Sequence, residues 1–200
     1  MRPPVQPLTD LQAVADAAAH CRECPLWKGT TQTVWGEGAT GSRLMLVGEQ
    51  PGDHEDLEGR PFVGPAGQLL DRACEALGWR REQLYITNAV KHFKYELRGK
   101  RRLHKTPGQR EIEACNHWLA SEIALVKPHA AVALGGTALR ALMGDKLPVL
   151  VNRGKWMTRS DGLRVLVTVH PSALLHLPAG EREAAFALWL NDLKRVQDLR

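Results

Sequence analysis

What most constrains this chain is a repeated switch of hydrophobic period. Short apolar runs at residues 43–47 (RLMLV), 84–90 (LYITNAV), 130–134 (AAVAL) and 163–169 (LRVLVTV) alternate with longer stretches whose apolar residues recur at helical spacing. Runs without polar alternation predict strands covered on both faces. Helices are expected from Thr9 and Asp10 as caps to about His20, over 66–77 with a stop at Gly78, over 137–143 and over 181–199. A further long helix to about Val126 is expected to start with Thr106 as N-cap and Pro107 at its first position. Strand and helix in alternation predict α/β architecture: three layers, α/β/α, around a central, mainly parallel four-stranded sheet.

The 200 residues, with no internal repeat, fit a single domain. A hydrophobic content of 44% with 24% charged residues excludes a disordered or fibrous chain. No apolar run approaches the roughly 20 residues that cross a bilayer, and the opening MRPPVQPLTD lacks the apolar core of a secretory signal. A cytoplasmic, membrane-free protein, expected as a monomer, follows. Cysteines in such a compartment serve as metal ligands, redox groups or core residues rather than disulfides. Cys21 and Cys24 form a CxxC, whereas Cys74 shares a helical face with Leu70, Ala73 and Leu77, where a thiol behaves as a small hydrophobe.

Two patterns carry chemistry. Glu49 and Gln50, Asn88, Gly135-Gly136 and His170 each lie at or just beyond the carboxyl end of a strand, where open parallel sheets bind ligands. Any one such turn needs residues of these types anyway, but four coincident ends predict one crevice. The second pattern is KHFKYELRGKRRLHK at 91–105, with Lys91, Lys94, Arg98, Lys100, Arg101, Arg102 and Lys105 against Glu96 alone, and Phe93 and Tyr95 interleaved. A solvated basic loop is the commoner meaning of such a run. Leaving a strand end, it predicts a nucleic-acid groove that neutralises phosphates and stacks on bases, within a chain of net charge +5.

Residues 47–71 (VGEQPGDHEDLEGRPFVGPAGQLLD), 85–92 (YITNAVKH) and 169–175 (VHPSALL) resemble, in order, the first motif, the uracil-recognition strand and the second catalytic motif of the uracil-DNA glycosylase superfamily, in its iron–sulfur branch, family 4. GEQPG together with the insert Lys100-Arg101-Arg102-Leu103-His104 is similar to the UdgX group, which excises uracil and stays covalently attached to the abasic site. The resemblance implies a [4Fe–4S] cluster on Cys21, Cys24 and Cys115, with His92 standing where family 4 has its remaining cysteine. Without the resemblance, Cys₃His zinc fits equally well.

It further implies Phe62 beneath a flipped uracil and Asn88 matching uracil O4 and N3–H. His170 would donate to O2 as charge develops there. Glu49 would favour the oxocarbenium-like sugar and accept a proton, Gln50 would bond near the scissile position, and His104 would be the nucleophile. Arg102 would set the insert on a phosphate or on Glu49. The expected partners are uracil-containing DNA, single-stranded or duplex, and free uracil. An ordinary turning-over glycosylase and a non-catalytic metal-containing DNA-binding module are the competing expectations.

Overall fold

The computed structural model describes residues 10–199, so Thr9 lies outside the described residues. Asp10 caps helix α1 (Leu11–Ala18) by accepting the amide of Ala13 at 2.7 Å. In chain order follow β1 (Leu44–Gly48), α2 (Asp53–Glu58), α3 (Pro65–Leu77), β2 (Leu84–Asn88), β3 (Tyr95–Arg98), β4 (Arg101–His104), α4 (Gln109–Val126), β5 (Ala130–Leu134), α5 (Gly136–Met143), α6 (Val149–Asn152), β6 (Trp156–Thr158), β7 (Arg164–Thr168), α7 (Pro171–Leu175) and α8 (Arg182–Lys194).

The expected strands β1, β2, β5 and β7 form a parallel sheet, but the sheet has five members in the order β2-β1-β5-β7-β6. The fifth, β6, is a short edge strand antiparallel to β7. Its three residues are too few to display a period of two, which is why the pattern did not show it. Alternate strand residues feed two cores. Met45, Val47, Tyr85, Ala131, Ala133, Val165 and Val167 pack against α1, α4 and α5. Leu44, Leu46, Leu84, Ile86, Val132, Leu134 and Leu166 pack against α3 and α8. Cys74 sits in this second core with Leu70, Ala73 and Leu77, and burial pushes its thiol up to about 11.

Two segments depart from expectation. The long helix starts at Gln109, two residues after Pro107, with Gly108 as N-cap; its amide donates to Glu111 Oε2 at 2.6 Å. Glu111, three residues into the turn, outcompetes Thr106 for the start. The basic run is no loop: β3 and β4 pair as a hairpin, Tyr95 opposite His104 and Leu97 opposite Arg102, turned by Gly99 at φ +62°. Among the described residues no helix is long and apolar enough to cross a membrane.

Candidate active site

Strand order reverses at β1: its successor β2 lies on one side and β5 on the other. This is the switch point at which α/β sheets bind ligands, and the side chains close over it. Glu49, directly after β1, accepts a hydrogen bond at 2.5 Å from Thr137 Oγ1, in the first turn of α5 after β5. Its other oxygen lies 3.3 Å from His104 Nε2 at the end of β4. Thr137 gave no sequence signal, being one polar residue in an apolar helix.

Beneath this pair lies a cradle. A Cβ on Gly48 would collide with Asn88 Oδ1 and with the Phe62 ring, so glycine alone leaves the space between them open. Asn88 Oδ1 is buried and has no hydrogen-bond partner. Phe62 holds the left-handed conformation at φ +54°, which costs a non-glycine residue about 1–3 kcal/mol. Its loop is held from two directions. The buried Glu55 carboxylate accepts the amides of Val63 and Gly64 at 3.0 and 2.8 Å, and Arg81 donates to the carbonyls of Pro61 and Phe62. The Phe62 ring lies 5.8 Å from that of His170.

His170 caps α7, and its Nδ1 accepts the backbone N–H of Ser172 at 3.2 Å. A nitrogen that accepts carries no proton, so the neutral ring bears its hydrogen on Nε2 and presents a donor. Burial, and secondarily the nearby His104, hold the His170 pKa down at about 4. Gly135, at φ +90°, lets the backbone after β5 approach the His170 side chain closely.

Two of the predicted site residues find partners that the sequence did not mark. Both ends of the Gln50 amide bind the hairpin. Nε2 donates to the carbonyls of Lys94 and Lys105, each at 3.1 Å, and Oε1 accepts the Lys94 amide at 3.0 Å. Gln50 therefore ties the two legs of the His104 hairpin together at its neck. Arg102 turns from Glu49 to other carboxylates, donating to Asp53 at 2.5 Å and to the fully buried Asp56 at 2.6 Å. It also lies over the rings of Phe93 and Tyr95 at 5.4 and 5.2 Å. Phe93 is buried beneath it, whereas Tyr95 is half-buried and donates its hydroxyl to the Gly29 carbonyl at 2.6 Å.

The basic run is likewise divided. Lys91 is fully buried against Glu122, Lys94 pairs with Glu111 and Lys105 with Glu96. Arg98, Lys100 and Arg101, at the exposed hairpin tip, have no carboxylate partner among the described residues. The cations open to phosphate thus concentrate on the tip. A separate cavity of about 550 Å³ opens at the amino ends of the strands, beside Arg43, Trp79, Arg80 and His129, whereas Glu49, Asn88 and His170 lie at their carboxyl ends.

The candidate metal ligands fit a sulfur-bound group by their donor chemistry. Cys21 Sγ accepts from Trp118 Nε1 at 3.3 Å and Cys115 Sγ from the Lys91 amide at 3.2 Å, as metal-bound sulfurs do. Burial pushes the Cys115 thiol up to about 12 and also raises Cys24, the neighbouring thiols adding to both. His92 meets Thr33 Oγ1 at 3.0 Å through Nε2, while its buried Nδ1 has no partner. Among the described residues no three His, Cys, Asp or Glu side chains close on one point as a single ion requires.

Residues 35–194 match the uracil DNA glycosylase superfamily. A type-4 uracil-DNA glycosylase from Pyrobaculum aerophilum is 40% identical over 189 residues, covering 90% of this chain and 93% of its own. One from Thermotoga maritima is 38% identical over 172 residues, 86% of each chain. A type-5 enzyme from Pyrobaculum aerophilum is 30% identical, over 75% of this chain and 72% of its own. A glycine-floored cradle with an unpartnered asparagine oxygen, a histidine donor and a carboxylate at the sheet's switch point thus accompany a match over most of the sequence, and the chain belongs to the uracil-DNA glycosylase superfamily.

Proposed function

We propose that this protein excises uracil from DNA and then remains bound to the abasic sugar through His104. The observation that carries the second half is the 3.3 Å approach of His104 Nε2 to Glu49, on a hairpin fixed at its neck by Gln50. In this reading uracil, out of the stack, lies on Phe62, with its N3–H donated to the unpartnered Asn88 Oδ1. As the C1′–N1 bond breaks, its electron pair leaves on the base. His170 Nε2–H meets the charge at O2, a donor already in place and one that need not give up its proton. Glu49 faces the electron-poor sugar. It takes the proton from His104 as that imidazole nitrogen forms the new bond to C1′. The released uracil anion is protonated by solvent.

Cys21, Cys24, Cys115 and His92 are the ligands we assign to a [4Fe–4S] cluster, which when bound supplies a cross-link between chain segments rather than a step of the reaction. Nothing in the excision chemistry above passes through it. The names of the type-4 relatives favour ordinary turnover as the second reading, with water in place of the imidazole. Incubation with an excess of uracil-containing single-stranded DNA, followed by a denaturing gel, separates the two. The proposal expects a heat-stable protein–DNA band and uracil release that stops near one equivalent. Release continuing far beyond one equivalent from unmodified protein would sink the covalent step, and neither band nor release would sink the enzyme.

A further inference from the structure

Behind the base cradle, on the α4 face of the sheet, lies an ion pair that the proposed chemistry does not use. Lys91 and Glu122 are both fully buried, with Nζ 2.6 Å from Oε2. Every donor of the ammonium is placed: one to Glu122, one to Thr87 Oγ1 at 2.6 Å, and one to the main-chain carbonyl of Asn88 at 2.8 Å. Glu122 is as fully occupied. Its Oε1 accepts from the Gly36 amide and from Tyr85 Oη, both at 3.1 Å, and the Thr87 hydroxyl lies within 3.0 Å of both oxygens. Gly36 has room for nothing larger than hydrogen there, since a Cβ would strike Glu122 and the Tyr85 ring.

Stability is a weak reason for this arrangement. Well-packed apolar residues of the same size often hold a fold as well as or better than two charges taken fully out of water, so another reason for the pair is to be sought. The bond to Asn88 supplies one. That residue ends β2; the peptide beyond it is held on the β1 side by the Ala89 amide on the Gly48 carbonyl at 2.9 Å, and its own carbonyl is taken by Lys91. The Asn88 side chain carries the buried, unpartnered oxygen facing the Gly48 and Phe62 cradle. A charged donor on the Asn88 carbonyl, itself held by a carboxylate anchored on α4, fixes the backbone from which that oxygen projects.

We infer that the buried Lys91–Glu122 pair is a positioning device for base recognition, setting the Asn88 amide for the pyrimidine edge it reads. This rests on the proposed reading of Asn88, and the test separates the two. Single-turnover excision from uracil-containing single-stranded DNA is measured for Asn88→Ala, for Lys91→Met/Glu122→Gln, and for the two combined, with thermal melting of each. Lys91→Met/Glu122→Gln is expected to melt near the parent and to bind uracil-free DNA as the parent does, yet to excise about 100-fold more slowly, the scale of a small misplacement of a reacting partner. In the Asn88→Ala background the same change should cost almost nothing more, because its effect passes through Asn88.

Losses that multiply, or parental excision by Lys91→Met/Glu122→Gln, would overturn the inference while leaving Asn88 as reader. No loss in Asn88→Ala would overturn the reading of Asn88 itself. Should the double substitution not fold, Glu122→Gln alone carries the same cycle. It keeps an acceptor for Gly36, Tyr85 and the Thr87 hydroxyl and removes the charge opposite Lys91, so its melting is measured beside its excision.

Discussion

The backbone N–H of Ser172 and the depth of His170 together keep this histidine neutral, with its proton on Nε2. That choice has a thermodynamic trace. A histidine with an ordinary pKa near 6.5 when unfolded and about 4 when folded binds its proton more readily in the unfolded chain. Above about pH 6.5 it costs the fold nothing; as pH falls toward 4 the fold loses up to about 3 kcal/mol through this one group. His170→Asn should therefore flatten the urea-denaturation stability profile between pH 7 and 4, relative to the parent, by that order. His104 makes a sharper chemical prediction. His104→Gly removes the proposed nucleophile and leaves Glu49, Phe62, Asn88 and His170 in place, with room for a water that Glu49 would activate. Uracil release should then exceed one equivalent and the heat-stable band should vanish; a persisting band would assign the attack to another residue.

The hairpin β3–β4 shows how an element can be hidden in plain sequence. YELR before Gly99-Lys100 alternates, but RRLH after it holds a single apolar residue among cations and so displays no strand period. The four main strands were legible because both their faces are apolar, and the crevice because four strand ends coincide. The partners of Gln50 and Arg102 were not legible. A glutamine or arginine finds its acceptors by tertiary placement, and Asp53, Asp56 and the carbonyls of Lys94 and Lys105 carry no sequence mark linking them to it. Because Gln50 holds the hairpin's two legs, Gln50→Ala should slow adduct formation about 10- to 100-fold while slowing uracil release much less. Time courses of the two products on one gel measure that split. Equal slowing of both would place Gln50 in bond breaking instead.

Across the whole molecule, the assigned cluster ligands come from the stretch after α1, from the turn beyond β2 and from α4. Joining them would fasten three parts of the chain far apart in sequence. Cys21→Ala, Cys24→Ala and Cys115→Ala should each lose iron by elemental analysis and melt lower than the parent, whereas Cys74→Ala, deep in the opposite core, should keep its iron. His92→Cys should keep iron too, with a changed visible absorption. Full iron in His92→Ala together with iron loss in Cys74→Ala would exchange their roles. The attachment of the hairpin bears on a different question. Gln50 grips only main-chain atoms, and any residues at those positions, proline at 94 excepted, offer the same carbonyls and amide. Side chains along the arm are then free to diverge without loosening its root. Arms of other sequence and length could be grafted onto the same socket, carrying a different attacking group to the same sugar.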